Sequence, residues 1–172
     1  PFDHENVGEE VYFHILNHAK KYVHIMTPYL IIDQSMITAL TFAAKRGVDV
    51  KLILPHIPDK KFAFALAKSH YKELLKAGVR IYEYTPGFVH AKIFTSDDEK
   101  AVVGTINLDY RSLYLHFECA AFLYQVEEIA EIEKDFQRTL EKCQEVTLEN
   151  RKKGTFFLRL EGWLLKWLAP LM

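Results

Sequence analysis

The chain contains 172 residues, 49% of them apolar, so its length and composition fit one folded domain with a substantial core and exclude a disordered chain. Its 22 lysines and arginines nearly balance its 23 aspartates and glutamates, which argues against nucleic acid as a partner held by bulk charge. The two cysteines are too few for a disulfide scaffold and lack the spacing of metal ligands.

Helical and strand-like segments alternate along the first half of the chain. Asn6 and Glu9 have the spacing of a capping pair, which predicts the start of a helix. Asp33 is a candidate N-cap for a second helix, and Gly47 and Gly78 are typical C-terminal signals. The predicted elements are a helix at 6–20, a strand at 22–27, a helix from 33 to 47, a strand at 48–54, a helix at 60–77 and a strand at 79–84.

Strand-like segments dominate the second half. The predicted elements are a hairpin of 90–95 and 100–105 around a turn at 96–99, a strand at 117–124 and a charged helix at 127–143. Cys119 lies in the apolar run of the last strand, where we expect it to be buried. Helices that alternate with strands, followed by adjacent strands, predict an α/β sandwich with a mixed sheet flanked by helices.

The segment 147–172 differs in character from the predicted domain at 1–146. A basic run, Arg151–Lys153, precedes an aromatic-rich pattern with helical spacing. Such an amphipathic helix can lie in a membrane interface, with its basic residues near lipid phosphates. It can equally pack on the domain or on a missing partner, and the sequence leaves both readings open.

One short stretch combines residue types suited to phosphodiester chemistry. His90 and Lys92 are two residues apart on a predicted strand, so their side chains share one face. Neutral imidazole is a competent nucleophile near pH 7, and the lysine can offset the charge of phosphoryl oxygens. Asn107 would donate an amide N–H to the same oxygens, and Gly104 would allow close approach of the backbone. The joint spacing predicts a phosphate site that each residue alone would not.

Two acidic residues are candidates for supporting roles. Asp97 is either a turn residue beside Asp98 or a brace for the lysine or the loop, and we favour bracing over direct catalysis. Glu118 interrupts an apolar strand and needs a partner if it is buried. A carboxylate that accepts a hydrogen bond from the far ring nitrogen of His90 would fix its tautomer and support its positive charge.

The stretch from His90 to Asn107 has the form H-x-K-x4-D-x6-G-[ST]-x-N, which resembles the signature of the phospholipase D superfamily. Members of that superfamily cleave phosphodiesters without metal, through a phosphohistidine, so the resemblance implies neither metal nor cofactor. The flanking segments resemble the C-terminal catalytic half of bacterial cardiolipin synthases, and the likeness covers nearly the whole chain. These segments are Thr27–Tyr29, Arg46–Val50, Ile53–Pro55, Tyr82–Lys92, Asn107–Ser112 and the closing Leu168–Leu171.

The resemblance implies a phospholipase D-like fold and a transferase with two displacements at phosphorus. A phosphatidyl group would move from one phosphatidylglycerol to the enzyme histidine with loss of glycerol, and then to a second phosphatidylglycerol, giving cardiolipin. By position, His90, Lys92 and Asn107 would bind or attack the phosphate. Glu118 would support the histidine, and Asp97 would complete the catalytic motif. His90 is either nucleophile or general acid, because both roles need the same residue type.

Other residues are expected to contact the substrate. Thr105 stands where the superfamily more usually has serine, and it keeps the hydroxyl. The full expected set of substrate-binding residues is Gly104, Thr105, Arg111, Tyr84 and Tyr29.

In that superfamily two such motifs face each other across a pseudo-twofold axis, one histidine attacking while the other protonates the leaving alcohol. This chain has one copy, so we interpret it as half of a catalytic unit and expect it to be inactive or weak alone. Its partner would be an N-terminal half with a second motif, or a second copy of itself. We favour the first, because the chain starts without methionine and resembles a C-terminal half.

The expected setting is the bacterial cytoplasmic membrane, with the catalytic part outside the bilayer and an anchor upstream of residue 1. The expected partners are therefore a phospholipid substrate and a membrane surface. Two rival hypotheses remain. The chain could be a one-motif phosphodiesterase or nuclease that acts as a homodimer, which should have a basic groove. It could also be a non-catalytic half, which the intact motif disfavours.

Overall fold

The computed structural model of the chain describes residues 5–152 as alternating helices and strands. In chain order the elements are α1 (Val7–His18), β1 (Tyr22–Met26), β2 (Leu30–Ile31), α2 (Gln34–Lys45), β3 (Asp49–Pro55), α3 (Lys61–Lys76), β4 (Arg80–Tyr84), β5 (Ile93–Ser96), β6 (Lys100–Gly104), β7 (Leu108–Asp109), a π-helix (Arg111–Leu115), β8 (Ala120–Tyr124), α4 (Glu128–Leu140), β9 (Cys143–Val146) and α5 (Leu148–Lys152).

Seven strands form one mixed sheet in the order β8-β6-β5-β1-β3-β4-β9. The three strands β1, β3 and β4 pair in parallel, and the other neighbours in this sheet pair antiparallel. A separate short ladder joins β2 to β7 in parallel. The expected α/β sandwich with a mixed sheet is therefore confirmed.

The two faces of the sheet bury different sets of side chains. Leu52 and Leu54 belong to a large core cluster that includes residues of α1, α2 and α3. Ile53, between them, packs in a smaller cluster with Phe136 of α4. Because successive strand residues point to opposite faces, helices cover the central strands on both sides.

Local sequence signals explain both ends of α2 and the C-terminal end of α3, whereas α1, α3 and α4 start without a side-chain cap. Asp33 caps α2, since its Oδ1 accepts a hydrogen bond of 2.8 Å from the backbone N–H of Met36. Gly78 follows α3 with φ +98°, a conformation that residues with a Cβ seldom adopt. The predicted Asn6–Glu9 capping pair is wrong. Asn6 makes no side-chain cap bond, and Glu9 is buried and accepts a hydrogen bond from Tyr114 instead.

Several element boundaries differ from those expected. The first strand of the hairpin begins at Ile93, not at His90, and the strand expected from residue 117 begins at Ala120. The last long helix ends at Leu140, and Cys143–Val146 is a strand that pairs antiparallel with β4. This strand lies at the edge of the sheet, and its two polar residues are adjacent, so it lacks the alternation that marks a strand in sequence.

The opposite edge of the sheet, β8, is exposed. Cys119, just before it, was expected to be buried, but the structure exposes its side chain. Phe117 is 79% exposed, and Phe122 and Tyr124 are also exposed. Within residues 5–152 no element covers this edge, because β6 is the single strand paired with β8. An apolar run in sequence therefore indicates here an uncovered edge and not a buried strand.

The helical tail predicted at 147–172 lies mostly outside the described residues, which reach only as far as α5. Within those residues, no helix has the length and apolar character needed to cross a bilayer.

Candidate active site

His90 and Lys92 lie in the irregular segment that leads into β5. Their side chains share one side of this segment, as expected, although it is not part of the strand. Lys92 Nζ is 3.1 Å from His90 Nε2 and donates a 2.6 Å hydrogen bond to the His90 carbonyl oxygen. A neutral ring with its proton on Nδ1 would present the Nε2 lone pair toward this ammonium. The imidazole is exposed, so a phosphate can reach it.

The charge of Lys92 is influenced by its surroundings. Partial burial lowers the pKa of the Lys92 ammonium below its ordinary value, while the nearby carboxylates of Glu118 and Asp109 act in the opposite direction. The two carboxylates therefore support the cation next to His90.

An open cleft of about 480 Å³ has His90 and Lys92 in its wall. Asn107 also lines the cleft, on the chain segment that follows β6. The residues that line it are His90, Ala91, Lys92, Ile93, Val103, Gly104, Thr105 and Asn107. The structure thus brings together five of the residues expected from sequence.

Glu118 does not contact His90 as predicted. Its carboxylate accepts a short hydrogen bond from the hydroxyl of Thr105, across the end of the β6–β8 pair. The backbone N–H of Thr105 donates 2.9 Å to the Cys119 carbonyl, and the Cys119 N–H donates 2.9 Å to the Thr105 hydroxyl. Because these bonds fix both residues at the strand ends, Glu118 is held near Lys92 and acts on its charge, with Thr105 as its direct partner.

Asn107 is positioned by Ser112 of the π-helix. Its Nδ2 donates a 3.1 Å hydrogen bond to Ser112 Oγ, and its Oδ1 is buried without a partner among the described residues. The backbone N–H of Ser112 in turn donates 2.7 Å to the Asp109 carboxylate. A 180° rotation of the amide would let Oδ1 accept from the Ser112 hydroxyl and free the N–H donors. Sequence reasoning did not identify Ser112 as a residue of the site. The available signal was its position five residues after Asn107, at the end of the Asn107–Ser112 segment that carries part of the family resemblance.

Gly104 permits a close approach, but the approaching backbone is that of β8. A Cβ at this position would collide with the Cys119 carbonyl oxygen and with Cα of Ala120. The glycine therefore lets β8 pair tightly with β6 at the point where Thr105 and Glu118 meet.

Asp97 lies at the other end of β5 from His90, in the turn between β5 and β6. Its carboxylate accepts hydrogen bonds of 2.7, 2.9 and 2.9 Å from the backbone N–H groups of Lys20, Lys21 and Tyr22. Asp97 is thus both a turn residue, with φ +56°, and a brace. It braces the start of β1 and not Lys92.

The remaining expected substrate residues have different positions. Phe88 lies between Tyr29 and His90. The ring centroids of Tyr29 and Phe88 are 6.4 Å apart, and those of Phe88 and His90 are 6.0 Å apart. Tyr84 packs against the smaller core cluster and does not line the cleft. Arg111 is exposed on the π-helix and also lies outside the cleft lining.

Among residues 5–152 there is no group of three or more histidine, cysteine or acidic side chains arranged to hold a metal ion.

Solved structures identify the fold as that of the phospholipase D family. Nuc from Salmonella typhimurium, a phospholipase D family member, matches with a TM-score of 0.70 at 17% identity, covering 80% of this chain and 90% of Nuc. Phosphatidylserine synthase from Haemophilus influenzae matches with a TM-score of 0.76 at 14% identity, covering 95% of this chain and 44% of that protein.

Sequence comparison identifies the family to which the chain belongs. A family model described as cardiolipin synthase, PLD-like domain, matches residues 12–140, and the chain belongs to this family. An uncharacterized protein of Streptococcus mutans is 59% identical over all of this chain and 37% of its own length. A cardiolipin synthase of Clostridium perfringens is 43% identical over 94% of this chain and 34% of its own length. The chain thus spans about a third of the length of these relatives, and the resemblance expected from its motif is confirmed.

Proposed function

We propose that this chain is half of a phosphatidyltransferase that makes cardiolipin from two phosphatidylglycerol molecules through a phosphohistidine. The observation that carries the proposal is the 3.1 Å approach of Lys92 Nζ to His90 Nε2 at an open cleft, in a chain of the cardiolipin synthase family. An imidazole nucleophile and an adjacent cation are the groups that displacement at a phosphodiester needs.

In the first step, the Nε2 lone pair of one histidine attacks phosphorus, and the bond from phosphorus to the glycerol oxygen breaks. The leaving glycerol takes a proton from a second histidine. In the second step, that histidine removes a proton from the hydroxyl of another phosphatidylglycerol. The oxygen of that hydroxyl attacks phosphorus, the bond from phosphorus to the histidine nitrogen breaks, and cardiolipin leaves. His90 is one of these two histidines, and either role suits it.

Other residues of the site act through charge and position. Lys92 offsets the negative charge of the phosphoryl oxygens as it grows in each displacement. Asn107 donates its amide N–H to the same oxygens once its carbonyl is turned toward Ser112. Glu118, held by Thr105, supports the positive charge of Lys92.

The second histidine comes from a partner, which we propose is an upstream half of a longer protein at the bacterial cytoplasmic membrane. The exposed edge at β8 supports this arrangement, because Phe117 and Phe122 offer apolar surface beside Glu118, in the wall of a second cavity that is separate from the His90 cleft. A second copy of this chain could use the same edge.

The test combines the chain with a matching upstream half and supplies vesicles of phosphatidylglycerol, with plasmid DNA in a parallel assay. Cardiolipin formation and glycerol release are expected, and His90→Ala should reduce both by at least about a thousandfold. His90 is exposed, so this variant should keep the thermal stability of the parent.

The chain alone, held strictly monomeric, should be inactive or weak. Full activity of such a monomer would contradict the need for a second histidine. DNA nicking that His90→Ala abolishes, without cardiolipin formation, would instead support a one-motif nuclease. Glu118→Gln should slow turnover less than His90→Ala does, and activity equal to that of the parent would remove Glu118 from the site.

A further inference from the structure

The loop after β3 and the first residues of α3 expose apolar side chains next to lysines. Ile57 is 53% exposed and Phe62 is 65% exposed. Lys60 and Lys61, which stand between them in sequence, are exposed as well. Single exposed apolar residues are ordinary on protein surfaces, but two large ones interleaved with cations in six residues form an amphipathic surface. We name residues 56–62 the β3–α3 loop surface.

Side-chain contacts connect this surface to the active site. Tyr29 donates a 2.5 Å hydrogen bond to Asp59 Oδ2, and Lys60 Nζ lies 5.5 Å from the centroid of the Tyr29 ring. Tyr29 contacts Phe88, which in turn contacts His90. A row of aromatic rings therefore leads from the loop to the imidazole.

The charge of the loop indicates what it can contact. The surface carries two lysines and one carboxylate, Asp59, which accepts the hydrogen bond from Tyr29, so its net charge is positive. Lysines beside exposed apolar side chains match an interface in which acyl chains lie just below anionic phosphates. The apolar edge at β8 differs, because acidic Glu127 and Glu128 follow it in sequence, and such charges are repelled by an anionic surface. The two apolar surfaces thus suit different partners.

We propose that the β3–α3 loop surface, with Phe88, rests on an anionic phospholipid bilayer and delivers the lipid headgroup to His90. Ile57 and Phe62 would enter the headgroup boundary, and Lys60 and Lys61 would contact lipid phosphates. The proposal deepens the proposed function by naming the face of the domain that meets the membrane, and it rests on that function for the fate of the lipid.

The test measures membrane contact at single positions, so that binding by any other part of the chain does not confuse the result. Cys119→Ser and Cys143→Ala first remove the native thiols. A single cysteine then replaces Ile57, Phe62 or, as a matched control, Phe42, which is 54% exposed on α2. Each variant carries a polarity-sensitive dye and is mixed with phosphatidylglycerol–phosphatidylcholine vesicles containing a lipid-attached quencher.

The expected result is a blue shift and quenching of the dye at positions 57 and 62, and neither change at position 42. Vesicles of phosphatidylcholine alone should give a weaker response. Lys60→Gln and Lys61→Gln should each weaken the response to anionic vesicles about fivefold. A response at position 42 equal to that at 62 would overturn the proposal, and so would no response at 62.

The same experiment tests whether a second copy of the chain, and not a bilayer, covers the β3–α3 loop surface. If the dye at position 62 shifts as protein concentration rises without vesicles, the surface pairs with another copy of the chain, and the proposal is wrong. The measurement needs no turnover. Membrane contact would leave this proposal intact even if the chain, combined with its upstream half, formed no cardiolipin, an outcome that would remove the proposed function. Cardiolipin formation by the combined halves without contact at positions 57 and 62 would do the reverse.

Discussion

At the scale of single residues, the cation of the site is held by the chain itself. Lys92 Nζ contacts both the ring nitrogen and the backbone carbonyl of His90, two residues away. Since these contacts are local, the pair is already arranged before a phosphate binds, and less side-chain entropy is lost on binding. The disadvantage of this arrangement is that the Lys92 ammonium is partly desolvated. It therefore loses its proton more easily than a fully hydrated lysine does.

Substrate affinity should therefore depend on pH in the alkaline range. Burial lowers the pKa of Lys92, against the opposing effect of Glu118 and Asp109. The KM of the assembled enzyme should rise with pH at values below the ordinary lysine pKa of about 10.4, as the ammonium deprotonates. Lys92→Arg should have lower activity but a flat KM in this range, because guanidinium does not titrate there. A parent KM that stays constant up to the ordinary range would contradict this.

Asp97 should contribute to stability and not to chemistry. Burial alone would raise the pKa of its carboxyl, but hydrogen bonds from three backbone N–H groups outweigh this and lower it. Asp97→Asn should reduce the free energy of unfolding by about 1–3 kcal/mol, measured by urea denaturation. Asp98→Asn is the control, since Asp98 is exposed beside it, and should cost less than about 1 kcal/mol.

The sign of the pH dependence follows from the lowered pKa. The folded-state pKa lies below that of the unfolded chain, so the stabilisation is complete above pH about 4 and is lost as the pH falls through the folded value. Stability of the parent should fall more steeply than that of Asp97→Asn in this acidic range. Parallel curves for the two proteins would show that the carboxylate contributes no charge-dependent stability.

At the scale of elements, the site depends on how closely β8 approaches β6. Gly104→Ala would push a methyl group into the backbone at Cys119 and Ala120. The strands must then separate at the point where Thr105 holds Glu118. We expect lower thermal stability and lost transfer activity, because the Glu118 carboxylate moves away from Lys92.

Gly87→Ala provides the matched control for this change. Gly87 lies in the loop before His90, and a Cβ there would meet no atom within 4 Å. This variant should keep parental stability. Loss of stability in Gly87→Ala as large as in Gly104→Ala would show that the effect does not come from the β6–β8 contact.

At the scale of the whole molecule, the two apolar surfaces should separate two functions. Phe117→Ser should weaken association with the upstream half, because Phe117 is 79% exposed at the edge beside the site, without lowering stability. Phe62→Ser, on the β3–α3 loop surface, should leave that association unchanged. Analytical ultracentrifugation of the mixed halves measures both, and equal weakening by the two variants would contradict the separation.

Sequence reasoning succeeded where local chemistry decides the structure. The Asp33 cap, the helix end at Gly78 and the turn at Asp97 follow from side-chain oxygen atoms or from positive φ. It failed where partners come from far along the chain. The bond from Thr105 to Glu118 and the pairing of Cys143–Val146 with β4 are set by tertiary packing, which a single sequence does not display.

The three hydrogen bonds to Asp97 also affect how the motif can decay during evolution. A copy that lost His90 would lose its chemistry but keep its shape, whereas a copy that lost Asp97 would lose three hydrogen bonds at the start of its first strand and part of its stability. Degenerate copies that serve only as scaffolds should therefore retain the aspartate after the histidine has drifted. In this fold, a retained aspartate would indicate common ancestry, and only a retained histidine would indicate activity.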